Sequence, residues 1–221
     1  MGGMTTASTL VTKEKTKTSF FQGKTVLELG CGTATASVAA SKLGARYVIA
    51  SDGNEEVLGL AKRNLERNDI VSSSVGRIDG GGGETASLRW GLLEVPVEYY
   101  DAADVVIGSD LTYNSGNWRV LAETLGTVLA PDGIVLYLTL GHTGFNVDGE
   151  MNGFLTVVES SGELEVVRES SERWPFQNVG SLTRVIEDTL VREEKEVIVG
   201  TGGFRVVVLR RRSKKNYKIS I

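Results

Sequence analysis

From Thr25 to Leu140 the chain alternates short, β-branched apolar runs with segments of helical period. No other feature restricts its fold as much. A strand that is apolar on both faces must be covered on both, and strands separated by helices pair in parallel. The pattern therefore predicts an α/β sheet with helices on either side. "TVLELG" (residues 25–30), "YVIASD" (47–52), "ASLRWG" (86–91), "DVVIGSD" (104–110) and "IVLYLTL" (134–140) read as strands one to five. Between them, residues 33–43 are rich in Ala and Ser and stop at Gly44, as a helix with a glycine cap does. Asn54 starts a second helix, with Glu55 and Glu56 first, Lys62, Arg63 and Arg67 later, and Val57, Leu58, Ala61 and Leu65 as its buried stripe. Trp118, Leu121, Ala122, Leu125, Val128 and Leu129 recur at helical spacing before the turn "PDG" (131–133).

"DGGGGE" (79–84) is expected to be a surface loop, because its glycines weaken any regular element. Beyond strand five the expectation is a helix near 152–161, a strand near 164–169, a hairpin within 176–199 and a last strand in "FRVVVLRR" (204–211). With 221 residues and no repeat, one domain is expected over residues 23–212. Residues 1–22 are expected to be a disordered or partial N-terminal segment, and residues 213–221 a basic tail. A Gly2…Thr6 match to a lipidation pattern is short enough to arise by chance.

A net charge of −4 argues against general nucleic-acid binding, and no apolar run is long enough to span a membrane. One cysteine and one histidine exclude a disulfide framework and a Cys-cluster metal site, so no metal is expected. A lone thiol fits a reducing compartment, the cytoplasm with the nucleus as a second location.

Chemistry concentrates at "VLELGCGTA" (26–34), where an apolar run ends in Glu28 and then in Gly30, Cys31 and Gly32. Glycines at a strand exit let a ligand approach the backbone. A phosphate loop of the nucleotide-hydrolase kind needs a Gly-Lys-Ser/Thr ending, which is missing. A dinucleotide site wants a third glycine where Thr35 stands, which weakens that reading without removing it. S-adenosylmethionine is the third candidate. Glu28 can face its ammonium, helix-start N–H groups its carboxylate, and Asp52, some twenty residues on, its ribose hydroxyls.

"VLELGCGTA" followed by "ASDGNEEVLGLAKRN" resembles motif I and its successor in class I S-adenosylmethionine-dependent methyltransferases. With "LRWG" (88–91) and "DLTY" (110–113) in this order, the chain is similar to the seven-β-strand protein-lysine methyltransferases of methyltransferase family 16. The resemblance runs over roughly residues 23–141. It implies a Rossmann-like doubly wound sheet of order 3-2-1-4-5-7-6 with strand seven antiparallel, S-adenosyl-L-methionine as cofactor, and N-methyl transfer to a lysine of a protein substrate; a monomer is the expected state, though the sequence does not fix it. Transfer to a small-molecule amine or another protein residue is the nearest alternative. A weakly active interaction module is a third reading.

Carried over residue by residue, the resemblance gives Glu28, Gly30 and Gly32 to the methionine end of the cofactor; Cys31, between the glycines, is counted among the cofactor-binding positions and read as a small buried filler, not a reactive thiol. Asp52 goes to the ribose, Gly53 and Asn54 lie near ribose and adenine, Trp90 packs by the adenine, and Ser109 lines the pocket. Asp110 and Tyr113 bound the channel for the methyl acceptor and are the catalytic pair. Tyr113 shares a side with Asp110 if the segment makes a helical turn. Trp90 as core and Asp110 as cap of the next helix remain alternatives. His142, Trp174 and Phe176 carry no assigned role. Relatives carry a tryptophan-containing segment before strand one, whereas residues 1–24 contain no tryptophan, so a reduced cofactor lid is expected.

Overall fold

The computed structural model describes residues 20–71, 81–140, 147–167 and 204–212. Seven strands form one sheet: β1 Thr25–Leu29, β2 Tyr47–Asp52, β3 Gly82–Ser87, β4 Ala103–Ser109, β5 Leu129–Leu140, β6 Leu164–Val166 and β7 Phe204–Arg211. Its order is β3-β2-β1-β4-β5-β7-β6, with β7 antiparallel to both β5 and β6, as expected. Among the described residues, four α-helices accompany it: α1 Thr35–Lys42, α2 Glu55–Arg67, α3 Trp118–Val128 and α4 Val147–Ser161.

The period of two inside the apolar runs sorts side chains into two cores. Val26, Val48, Ala50, Val105 and Ile134 join the layer that contains Ala40 of α1 and Leu58, Ala61 and Leu65 of α2. Leu27, Ile49, Val106, Val135 and Tyr137 join the opposite layer, with Leu121 and Leu125 of α3 and Phe154 of α4. Each fully buried Leu, Val or Ile contributes about 1.5–3 kcal/mol, so sandwiching β1 and β4 from both sides dominates stability. α2 begins as expected, its Asn54 side chain accepting from the Glu56 and Val57 N–H groups. α1 is shorter than the sequence pattern suggests, and the chain leaves it through Gly44 at φ +93°.

The glycine run holds the main difference. β3 is Gly82–Ser87, so half of the expected surface loop is strand, and "LRWG" lies beyond the strand's end. The cause is close packing against β2. A Cβ on Gly83 would sit 2.6 Å from both Val48 Cγ2 and Ile70 Cγ2 and 2.9 Å from the Val48 carbonyl oxygen. Gly83→Ala is therefore expected to cost about 1–3 kcal/mol of stability, read as a lower denaturant midpoint. An unchanged midpoint would mean β2 and β3 separate at no cost.

β5 also starts earlier than expected. Ala103 pairs with Leu129 and Val105 with Ile134, so the "PDG" turn bulges out of a continuous strand. The expected strand over 164–169 is described as Leu164–Val166. The expected hairpin within 176–199, together with His142, Trp174, Phe176 and both termini, lies outside the described residues.

Candidate functional site

The chain runs outward from β1 to β3 and returns to β4, so the strand order reverses between β1 and β4. That is where an open α/β sheet binds ligands, beyond the strands' carboxyl ends. Register aligns the rim: Leu29 lies beside Ser51 on one side and Gly108 on the other. Gly30, Asp52 and Ser109 each follow one of these residues, so all three reach the same edge.

Gly30, Gly32 and Ala34 all have positive φ (59°, 52° and 59°), so every second residue of the turn is left-handed. Gly30 has a steric reason besides: its Cβ would lie 2.6 Å from Leu111 Cδ2. A Cβ on Gly32 would meet nothing within 4 Å, so the space above it is open. The Cys31 N–H donates to the Ser51 carbonyl at 2.8 Å, fastening the turn to β2. Burial, then the nearby Glu28 and Asp52 carboxylates, push the Cys31 thiol up to about 12, which removes it as a nucleophile at neutral pH.

Asp52 joins two turns. Its Oδ2 accepts from the Gly32 N–H at 3.3 Å and its Oδ1 from the Asn54 N–H at 3.0 Å. An ionised carboxylate has about four acceptor positions, so capacity remains for hydroxyl donors. Gly53 is exposed, and a Cβ there would meet the Leu88 carbonyl oxygen at 3.7 Å and Arg89 Cγ at 3.8 Å, ordinary contact distances. Trp90, three residues past β3, is half-buried against the α3–α4 core and keeps one part outside it.

Glu28 has work of its own. Ala34 gives α1 no side-chain cap, and Glu28 Oε2 takes that place, accepting from the Ser37 N–H at 2.8 Å and the Ser37 hydroxyl at 2.6 Å. Burial nonetheless raises its pKa above the usual 4.5. The folded chain therefore holds this proton more tightly than the unfolded chain. That contribution to stability is complete below pH 4.5 and is lost as pH rises through the folded value. Glu28→Gln removes the charge and keeps an acceptor, so its stability relative to wild type is expected to improve from pH 4 to pH 7. Thermal unfolding midpoints across that range check this, and a constant difference would refute it.

At the end of β4, Asp110 adopts φ +59°, a left-handed conformation that Asp and Asn tolerate better than other side chains. Its N–H donates to the Leu138 carbonyl at 2.8 Å. No helical turn links Asp110 to Tyr113: the chain bends at Asp110 and again at Tyr113 and is irregular between them, so the condition for the two to share a helical face is not met. Asp110 does not cap the following helix either. Asn114 caps the short 3-10 turn Ser115–Asn117 that leads into α3, its side chain accepting from the Gly116 N–H at 3.0 Å. Tyr113 and Ser109 are both exposed.

The structure thus gathers Gly30, Cys31, Gly32, Asp52, Gly53, Asn54, Ser109, Asp110 and Tyr113 along one edge of the sheet, with Glu28 one step beneath it. Sequence reasoning missed Ser37, Leu111, Thr112 and Tyr137. The one available signal was a lone hydroxyl, Tyr137, inside the otherwise apolar "IVLYL".

A lysine methyltransferase family model matches residues 3–143. The chain belongs to this lysine methyltransferase family. It is similar to protein-lysine N-methyltransferase EFM3 of Chaetomium thermophilum, 39% identical over 108 residues, 46% of this chain and 30% of that protein. It is also similar to the histidine protein methyltransferase 1 homolog of Rattus norvegicus, 30% identical over 194 residues, 75% of this chain and 51% of that protein. The chain spans between 19% and 60% of the length of the curated relatives it matches. In fold it is similar to the ribosomal protein L11 methylase of Lactobacillus delbrueckii subsp. bulgaricus, with a TM-score of 0.54 at 16% identity over 88% of this chain and 73% of that one.

The cofactor of this methyltransferase family is S-adenosylmethionine, and the residues present fit it. Open space lies over Gly32, the half-buried Asp52 has spare acceptor capacity, and the exposed Gly53–Asn54 turn follows directly. The family match begins at residue 3, within the segment expected to form a reduced lid, of which residues 1–19 lie outside the described residues.

Proposed function

We propose that this chain is an S-adenosylmethionine-dependent N-methyltransferase that modifies a lysine side chain of a protein. One contact carries the reading. The Leu111 side chain, directly after Asp110, rests against Gly30 of the glycine turn, so the acceptor loop and the cofactor turn are in contact. Family membership supports lysine as the acceptor.

Bound S-adenosylmethionine supplies an electrophilic methyl group on a sulfonium. The chain's own residues then have to align the acceptor nitrogen in line with it and keep water out. A lysine with the ordinary pKa of about 10.4 costs roughly 4–5 kcal/mol to deprotonate at pH 7. A carboxylate beside an ammonium favours the charged form, so Asp110 does not lower that cost by charge. Its role is to capture and orient the amine at the mouth of β4. The exposed ring of Tyr113 walls the approach, where an aromatic face attracts a cation. Glu28, Gly30 and Gly32 serve the methionine end, Asp52 the ribose, and Trp90 the adenine. The lone Cys31 suits a reducing compartment, and we assign the enzyme to the cytoplasm and nucleus.

One observation favours a second acceptor. The histidine methyltransferase relative aligns over three-quarters of this chain, more than the lysine relative does. Histidine is largely neutral at pH 7 and needs only orientation, which Asp110 equally supplies. The deciding experiment supplies labelled S-adenosylmethionine and whole-cell lysate, then hydrolyses the labelled protein. N-methyl-lysine is the expected product. Methyl-histidine would move the assignment to the second acceptor, and label found only in small molecules would overturn both.

A further inference from the structure

We infer that Tyr137 and Glu150 are positioning residues that hold the Asp110–Tyr113 loop against the cofactor turn through a four-member hydrogen-bond relay. The inference deepens the proposed function and rests on it for the identity of that loop. The relay crosses three elements. The Leu111 N–H donates to the Tyr137 hydroxyl at 2.9 Å. That hydroxyl donates to Thr112 Oγ1 at 3.2 Å, and the Thr112 hydroxyl donates to Glu150 Oε1 at 2.5 Å.

Its polarity is set by its ends. A backbone N–H can only donate and an ionised carboxylate can only accept, so each hydroxyl between them has one orientation. Such a chain strengthens each of its bonds, and a buried member left unpaired is costly. Tyr137 is fully buried, and its phenol is pushed up to about 12 chiefly by burial, so it remains the donor throughout the physiological range.

Three packing contacts make the relay stiff. Gly108 of β4 leaves room for the Tyr137 ring, since a Cβ there would lie 2.9 Å from Tyr137 Cδ2. The Phe154 ring of α4 lies 5.3 Å from it, centroid to centroid. On the third side the Trp118 indole N–H donates to the Thr112 carbonyl at 2.7 Å. The backbone of residues 111 and 112 is thereby tied to β5 and α3, and the Thr112 hydroxyl to α4, while the Leu111 side chain touches Gly30. Any tilt of the loop then changes where Asp110 stands relative to the glycine turn. The two relay partners outside the loop are distant in sequence: Tyr137 is 26 residues from Leu111, and Glu150 is 38 from Thr112.

The test compares Tyr137→Phe, Glu150→Ala and Glu150→Gln with wild type. It measures kcat, protein-substrate KM, S-adenosylmethionine affinity and amide hydrogen exchange of residues 110–114. Tyr137→Phe and Glu150→Ala are expected to lower kcat about 10- to 100-fold, the scale of a misplacement near 1 Å, with cofactor affinity nearly unchanged. Exchange is expected to quicken at residues 110–114 and not in β1 or β2. Glu150→Gln keeps an oxygen for Thr112 and is expected to restore most of the rate. Wild-type kcat and exchange in Tyr137→Phe and Glu150→Ala would overturn the relay. So would exchange that quickens equally across the sheet, because that marks a general loss of packing. If wild-type protein methylates nothing in lysate, the proposed function fails, yet the exchange comparison still decides whether the relay holds the loop.

Discussion

Asp52→Ala is expected to weaken S-adenosylmethionine binding at least about 100-fold, or roughly 2.7 kcal/mol, while the protein stays folded. Two losses add. The substitution removes the acceptor for ribose hydroxyls, and hydrogen bonds to a charged group contribute about 1.5–3 kcal/mol each. It also releases the Gly32 and Asn54 N–H groups, so the two turns that frame the ligand no longer share a brace. Folding is spared because Asp52 sits at the rim, past Val48, Ile49 and Ala50, which anchor β2 in both cores. Calorimetric titration beside a thermal unfolding curve tests this. Near wild-type affinity in a folded variant would remove Asp52 from the cofactor site and with it the register argument for the rim.

Asp110→Asn should lower kcat about 100-fold or more with cofactor affinity retained. The choice of Asn matters. Asn adopts the left-handed backbone at least as readily as Asp, whereas Ala there would add about 1–2 kcal/mol of strain and confuse the result. What Asn removes is the charge that captures a cationic amine and the acceptor that points its lone pair. With a good geometry lost, a misaligned nucleophile alone accounts for two orders of magnitude. Single-turnover methylation of the substrate protein, with cofactor binding measured in parallel, separates the two effects. Wild-type turnover would return Asp110 to a structural role, although the cap of the next helical turn already belongs to Asn114.

Much of this site could be read along the chain because its signals are local. Gly30 and Gly32 flag a turn whose backbone angles other residues resist, Asn54 flags a helix start two residues after Asp52, and β1 and β4 are short runs bounded by polar residues. Signals failed where a residue's neighbour is distant. Gly83 looks like a loop residue by composition, yet it is glycine because Val48 and Ile70 leave no room for a Cβ. Spacing puts Tyr113 on the side of Asp110 only if the segment makes a helical turn, and the left-handed Asp110, whose N–H is bound to Leu138, starts an irregular segment instead. Glu28 reads as a ligand-facing acid, and folding also gives it the start of α1 to cap.

The amino-acid sequence by itself determined the alternation of buried strands and helices, the glycine turn at the end of β1, and the residue types around it, whereas the sheet order came only with the family resemblance. Hydrophobic period and glycine conformation act within a few residues and so survive in a one-dimensional reading. Only the tertiary structure decided how the Asp110–Tyr113 loop is held, which face of β3 admits no side chain, and that Leu111 bridges the two halves of the site. Those depend on hydroxyls and methyl groups meeting across 13 to 81 residues of chain, where directionality and excluded volume, not propensity, choose the partner.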